Sequence, residues 1–158
     1  EKPVRVNPVK QLAKKLVYKL PVIFGSTGST GAAALRMKTQ FNENSKMTAI
    51  CSLFPELNHN EIVNLSSLKR EEHAFAWILL RDDSDNEKVK KGIEIIKSLI
   101  GQQLGGVNEI ASRGKSPLAR TLSLVLLGDY LSVYLALLQG IDPTPVDIIS
   151  RFKKEITR

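Results

Sequence analysis

Apolar positions along the chain change their spacing several times, which predicts alternating helices and strands. After the Asn7–Pro8 start signal, one helical face carries four apolar residues, Val9, Leu12, Leu16 and Leu20. Similar patterns predict further helices near 30–44, 60–65, 88–104, 117–139 and 146–156. Short apolar runs predict strands near 20–26, 47–54, 73–81 and 106–114.

The predicted strands are continuous apolar runs, a pattern typical of strands that are buried on both faces. Because helices separate them, we expect a mainly parallel sheet in an α/β protein, folded as a three-layer α/β/α sandwich. No repeat or low-complexity linker divides the chain, so residues 1–158 are predicted to form a single domain. Ligand sites in such sheets lie beyond the carboxyl ends of strands. The loops at 25–31 and 55–61 are therefore the informative ones.

The long predicted helix at 117–139 is apolar around most of its circumference, which indicates packing on two sides. Its excess apolar surface fits either a domain or dimer interface or a central buried helix. We expect no run long enough to cross a bilayer, and the first ten residues lack the apolar stretch of a signal peptide. These features favour a soluble, cytoplasmic protein that has no membrane partner.

The chain has 158 residues, of which 42% are apolar, enough for one substantial core. Its net charge of +7 is spread over three predicted helices and mixed with apolar residues, as on solvated helix faces. Most aromatic residues lie within apolar runs, which leaves few for base stacking. The charge therefore fits a general attraction to anions, such as phosphorylated metabolites, as well as it fits a basic nucleic-acid module.

A glycine-rich loop, "GSTGSTG" at 25–31, joins a predicted strand to a predicted helix. Its backbone N–H groups and hydroxyls could hold an anion. It lacks the lysine of a Walker A loop and the spacing of a dinucleotide fingerprint. From these residues alone, a phosphate site and a plain turn are equal alternatives.

Two ionisable residues, Glu43 and His59, are each flanked by asparagines. Glu43 closes a predicted helix, where the macrodipole disfavours a carboxylate, and such a group suits proton abstraction beside a carbonyl. His59 follows a strand end, which predicts that it shares a sheet rim with Glu43 and can transfer protons near neutral pH. The alternative is a surface carboxylate and a histidine that merely begins a short helix; spacing alone favours that alternative.

The remaining histidine and the cysteine give little support for further chemistry. His73 begins an apolar strand and is expected to pack or cap, while Cys51 is expected to be a buried thiol. No Cys/His cluster has metal-ligand spacing, so we expect neither a metal nor another cofactor.

Three motifs together, "KTQFNEN" (38–44), "ELNHNE" (56–61) and "DPTPV" (142–146), resemble a known family. They are similar to the C-terminal half of the bifunctional phosphoglucose/phosphomannose isomerases of archaea and some bacteria. The resemblance implies a sugar isomerase (SIS) domain. It also implies aldose–ketose isomerisation of glucose 6-phosphate or mannose 6-phosphate to fructose 6-phosphate, without metal, through a cis-enediol(ate).

The resemblance also implies roles for individual residues. Glu43 matches the base that moves a proton between C1 and C2. His59 matches a residue that assists ring opening, offered across a homodimer interface. Lys153 matches a ring-opening lysine, although Lys154 is adjacent, and Thr144 is a candidate substrate contact. Adjacency in the sequence suggests supporting roles for four further residues, with Glu61 holding the imidazole and the others orienting these groups: Asn42, Asn44, Asn60 and Glu61.

Family members carry an earlier SIS domain that binds the sugar phosphate and supplies an arginine for the enediolate. This N-terminal partner domain is expected to lie outside the present chain. Because oxyanion stabilisation is often the largest catalytic effect, the chain alone is expected to be inactive or nearly so. The alternative from another class is a non-catalytic SIS sensor domain that binds a phosphosugar.

Overall fold

The computed structural model of the protein describes residues 3–67, 74–101 and 106–157, which form a parallel sheet between two helical layers. Its four strands are β1 (Leu20–Ser26), β2 (Ile50–Phe54), β3 (Phe75–Arg81) and β4 (Val107–Ala111). They pair in parallel in the order β2-β1-β3-β4. The predicted three-layer α/β/α sandwich is confirmed. His73, expected to pack or cap, lies outside the described residues.

Six helices accompany the sheet in the described residues: α1 (Pro8–Leu16), α2 (Gly31–Glu43), α3 (Glu61–Ser66), α4 (Glu87–Ile100), α5 (Pro117–Leu138) and α6 (Asp147–Ile156). Side-chain caps explain where several begin. Asn7 accepts hydrogen bonds from the backbone of Val9 and Lys10 at 3.0 and 3.1 Å, and Ser116 accepts one from Ala119 at 3.2 Å.

Leu20 belongs to β1, so its predicted place on the face of the first helix is wrong. The helix ends at Leu16, and Tyr18 adopts a φ of 60°, a conformation that stops helix propagation. The chain then turns directly into the strand.

Alternate residues of each central strand face different helical layers, as the pleat of a sheet requires. On one side, α1, α2 and α5 pack over Ile23, Ile78 and Leu80. On the other, α3 and α4 pack over Phe24 and Trp77. Cys51 is half-buried and packs against the first of these cores, and burial raises the pKa of its thiol.

Close packing of α5 on α2 depends on Gly128. A Cβ at this position would come within 3.2 Å of the Met37 side chain. The inner face of α5 also buries Leu124, Leu131 and Leu135. These contacts pack the inner face of α5 into the core that it shares with α2.

The outer face of α5 remains apolar and exposed, with a stripe at a spacing of four residues: Leu118, Leu122, Leu126 and Tyr130. The helix is therefore not a central buried helix in this chain. Its 22 residues are long and apolar enough to cross a membrane by length and composition. The expectation that no run has this length is wrong, and packing on the sheet side accounts for part of its apolar character.

Candidate active site

Glu43 is exposed at the last position of α2. Helix α2 starts at the carboxyl edge of the sheet, directly after β1, and its 13 residues extend about 20 Å. The next strand, β2, runs parallel to β1, so Glu43 lies at the amino edge of the sheet.

The asparagines beside Glu43 hold the turn that follows the helix. Asn44 donates from Nδ2 to Gln40 Oε1 at 3.0 Å and to Ser132 Oγ at 2.8 Å. Asn42 donates to the Met47 carbonyl at 2.8 Å. Both amides bond to groups other than the Glu43 carboxylate, so they fix the backbone on which Glu43 stands.

A buried hydroxyl joins the same turn to α5. Ser45 is fully buried and donates to the Ser132 carbonyl at 2.7 Å. Because a buried hydroxyl needs a partner, this bond ties the end of α2 to the middle of α5. The position of Glu43 is thus determined by core contacts, although its side chain is exposed.

Arg36 lies two helical turns before Glu43 on the same face of α2. Its guanidinium makes a two-point contact with Asp129 of α5, at 3.2 and 2.9 Å. The pKa of Arg36 is raised, and the hydrogen bond to Asp129 is the largest cause. The charge of Asp129 is the next cause, and the charge of Glu43 adds to the increase. Glu43 and Arg36 therefore interact electrostatically, while the main partner of the guanidinium is Asp129.

Lys46, which the sequence reasoning did not single out, contacts the main chain of two distant segments. Its ammonium donates to the Glu43 carbonyl at 2.6 Å, and to the carbonyls of Pro145 and Pro143 at 2.8 and 3.4 Å. The segment that carries Thr144 is thereby held beside the end of α2. A lysine just beyond a helix C-terminus is a sequence signal for carbonyl capping.

Thr144 is exposed in an Asx turn that precedes α6. Its N–H donates to Asp142 Oδ1 at 2.9 Å. That bond, a second one from the Thr144 side chain and the charge of Lys46 all lower the pKa of Asp142. The predicted helix start at Thr144–Pro145 lies slightly early, since Val146 is the N-cap and makes no side-chain capping bond.

Lys153 is exposed on α6, a helix that buries none of its residues. The apolar side chains of α6 face outward: Ile148, Ile149, Phe152 and Ile156. Residues three or four apart are neighbours on a helix, so Lys153 lies beside Ile149 and Ile156. In the described chain, no hydrogen bond or ion pair joins Lys153 to Glu43.

His59 lies at the carboxyl edge, beyond β2 and the short 3-10 turn Glu56–Asn58. The expectation that it shares a sheet rim with Glu43 is wrong within one chain. A helix end and a strand end that follow one another in a parallel sheet fall on opposite edges. His59 is exposed, and its N–H donates to the Glu56 carbonyl at 2.9 Å.

The polar residues next to His59 support the backbone of the loop. Asn60 caps α3 by accepting from the Glu61 N–H at 2.8 Å, and its amide donates to Glu56 Oε1 at 3.4 Å. Within the described chain, Glu61 Oε2 is buried without a hydrogen-bond partner. Over residues 3–67, 74–101 and 106–157, no hydrogen bond joins Glu61 to the imidazole, and its orienting role stays a prediction.

Several polar groups of the glycine-rich loop have hydrogen-bond partners within the described chain, although Ser26 Oγ is buried without one. Thr30 Oγ1 accepts from the Ser26 N–H at 2.8 Å, and the Thr27 N–H donates to the Phe54 carbonyl at 3.0 Å. The Ser29 hydroxyl donates to the buried carboxylate of Asp85. A carboxylate at this point opposes a second anion, so the geometry favours a structural turn over a phosphate site.

A partly buried ion pair at the carboxyl edge connects the end of β3 to α5. Arg120 Nε lies 3.1 and 3.0 Å from the two Asp82 oxygens, and Ser112 Oγ donates at 2.7 Å. Burial alone would raise the pKa of Asp82, but the bonds from Ser112 and Ser84 and the charge of Arg120 lower it to about 2. Within the part of the chain that the structure describes, no cluster of three His, Cys, Asp or Glu side chains could hold a metal ion.

Residues 5–156 match the sequence model of a family described as the bacterial phospho-glucose isomerase C-terminal SIS domain. The chain is 45% identical over 156 residues to the bifunctional phosphoglucose/phosphomannose isomerase of Caldicellulosiruptor bescii, a match that covers 99% of this chain and 46% of that protein. It is 38% identical over 150 residues to the protein of the same name from Aquifex aeolicus, covering 94% of this chain and 46% of that protein.

The fold is similar to that of a solved glucose-6-phosphate isomerase like protein from Thermus thermophilus. The two share 25% sequence identity at a TM-score of 0.74, over 96% of this chain and 48% of the other. The chain therefore spans about half the length of the relatives that it matches.

Proposed function

Since the chain belongs to the family of bacterial phosphoglucose isomerase C-terminal SIS domains, we propose that it is the C-terminal half of an isomerase of hexose 6-phosphates. The names of its relatives supply the substrates, glucose 6-phosphate and mannose 6-phosphate. The observation that carries the proposal is the fixed position of Glu43, next to the segment that carries Thr144.

In the proposed reaction, the Glu43 carboxylate removes the proton from C2 of the open-chain aldose and returns it to C1. A proton also moves from O2 to O1, so the intermediate is a cis-enediol(ate) and the product is the ketose. Proton transfer of this kind needs a base in hydrogen-bond reach of the carbon-bound proton. The end of α2, held by the Asn44 and Ser45 hydrogen bonds to Ser132, provides such a base.

We place His59 in the same reaction but in a neighbouring active site. The length of α2, about 20 Å, separates the two sheet edges within one chain, so Glu43 and His59 can meet only between copies. A homodimer that pairs the carboxyl edge of one copy with the amino edge of the other satisfies this requirement. Ring opening would then depend on the His59 imidazole of the second copy.

The exposed apolar surfaces are the proposed contacts with the rest of the protein. The relatives are about twice as long as this chain, and the stripe on α5 needs cover. A groove of about 760 Å³ lies between this helix, α1 and β4, with Leu126 and Tyr130 in its wall. We assign the stripe on α5 to an N-terminal SIS domain, which would supply the oxyanion stabilisation.

Helix α6 is proposed to dock through its apolar face, with Lys153 at the border of the contact. Lys153 has Ile149 and Ile156 as neighbours on the helix surface, whereas Lys154 has Ser150 and Arg151. Docking of the apolar face therefore places Lys153, and not Lys154, at the border of the contact. This favours Lys153 as the ring-opening lysine.

The test is an isomerase assay of the protein with its N-terminal half present, measuring fructose 6-phosphate formed from glucose 6-phosphate and from mannose 6-phosphate. Loss of a general base lowers kcat by about 10²–10⁴-fold, which is the result expected for Glu43→Gln. Glu87→Gln, a change at a highly exposed position on α4, is the matched control. Phosphosugar binding without any turnover would instead support a sensor domain.

A further inference from the structure

Lys46 combines an uncommon backbone conformation with three carbonyl acceptors. Its φ is 54°, in the left-handed region that residues other than glycine seldom adopt. From this position the ammonium donates to the carbonyls of Glu43, Pro145 and Pro143. An ammonium has three N–H donors, and three protein carbonyls lie around this one.

A simple helix cap would not require this arrangement. Capping the end of α2 needs only the bond to the Glu43 carbonyl, whereas the other two acceptors lie almost one hundred residues further along the chain. Lysine side chains lose conformational entropy when they are held in one place. Bonds to two separate segments therefore indicate a connection between them.

The segment that Lys46 reaches has few other anchors. Residues 142–146 form no helix or strand, and prolines at 143 and 145 have no N–H to donate. Helix α6 follows at once and buries no residue against the rest of the described chain. The placement of α6 thus depends on the segment before it, which Lys46 holds and whose Asp142 responds to the Lys46 charge.

We propose that Lys46 is a positioning residue that connects the Glu43 end of α2 to the segment of Thr144 and, through it, to α6 and Lys153. The inference rests on the proposed isomerase function, because its kinetic consequence needs Glu43, Thr144 and Lys153 in one site. Its structural consequence, an ordered segment 142–157, does not depend on that function.

The experiment compares Lys46→Met, Lys46→Arg and the control Lys88→Met in the protein with its N-terminal half. Lys88 is an exposed lysine on α4 that faces away from this region. Hydrogen–deuterium exchange is measured over 142–157, with α1 as the internal reference. Steady-state kinetics with glucose 6-phosphate give kcat and KM separately.

For Lys46→Met we expect faster exchange over 142–157 and unchanged exchange in α1. We also expect kcat to fall by on the order of 10²-fold, the cost of a displacement of about 1 Å, with a smaller change in KM. Lys46→Arg keeps the charge but presents a planar group. Its exchange rate over 142–157 and its kcat should therefore lie between those of the wild type and Lys46→Met. If the methionine variant does not fold, Lys46→Gln, which keeps an amide donor, takes its place.

Unchanged exchange over 142–157 in a folded Lys46→Met protein would overturn the proposed connection. Faster exchange with an unchanged kcat would overturn the positioning role. An inactive wild type, or an active Glu43→Gln variant, would instead overturn the isomerase function, while the exchange result would still decide whether Lys46 holds the segment.

Discussion

Glu43 and His59 lie at opposite edges of one parallel sheet, because β2, which separates them in the chain, runs from the amino edge to the carboxyl edge. Both are exposed, and each stands on backbone that hydrogen bonds hold in place. A reaction that uses both side chains therefore needs two copies of the chain. This requirement can be tested without a structure of the dimer.

The first prediction concerns complementation between two inactive variants. Glu43→Gln and His59→Ala should each retain at most a small residual activity alone in the protein with its N-terminal half. When the two are co-expressed in equal amounts, half of the dimers are mixed, and each mixed dimer has one intact site. We expect about a quarter of wild-type activity in the mixture. If both residues served the same subunit's site, every site would carry a defect and no activity would return.

The second prediction separates Lys153 from Lys154. Lys153 borders the apolar face of α6, whereas Lys154 lies on the polar side. We expect Lys153→Ala to lower kcat on the order of 10²-fold, the lower end of proton-transfer effects, and Lys154→Ala to leave it nearly unchanged. Initial rates with glucose 6-phosphate measure both. Equal losses in the two variants would contradict the docked orientation of α6.

The third prediction tests whether the stripe on α5 is covered in the longer protein. Leu126 is exposed here, so Leu126→Glu should change the stability of the present chain by no more than about 0.5 kcal/mol. If the N-terminal half covers the stripe, the same change should cost the longer protein about 1.5–3 kcal/mol of lost burial. Denaturant unfolding measures both values.

Leu99→Glu provides the control for this comparison, because Leu99 is exposed on α4, in the opposite helical layer. It should be close to neutral in both proteins. An effect of Leu126→Glu that is equally small in the two proteins would show that the stripe stays in solvent.

Local signals predicted most of the fold, because they act within a few residues. The Asn7–Pro8 and Ser116–Pro117 signals start helices where expected, each with a side-chain cap. The strands were predicted because buried parallel strands are continuous apolar runs. The end of the first helix was missed, since the positive φ of Tyr18 has no signature in the apolar spacing.

The site was only partly predictable, because its contacts join distant segments. Glu43 and Thr144 come together through Lys46, whose bonds to the 143–145 segment have no local pattern. The expectation that His59 lies on the same rim as Glu43 is wrong within one chain, because a parallel topology puts successive helix ends and strand ends on different edges. Side-chain identity gave candidates for the chemistry, and topology decided which of them share a cleft.

The last prediction concerns acid stability at the Asp82–Arg120 pair. The pKa of Asp82 is lowered to about 2 from its ordinary value of 3.8, so the folded state favours the ionised carboxylate. The stabilisation is complete above the ordinary pKa and is lost as the pH falls from about 4 towards 2. Asp82→Asn should cost about 1.5–3 kcal/mol at pH 7, the range for hydrogen bonds to charged groups. The free energy of unfolding of Asp82→Asn, measured from pH 7 to pH 2, should converge with that of the wild type as the pH approaches 2.

The control for this pH dependence is Asp83→Asn, at an exposed neighbour, which should follow the wild type throughout. A constant gap between Asp82→Asn and the wild type would show that ionisation of Asp82 is not the cause.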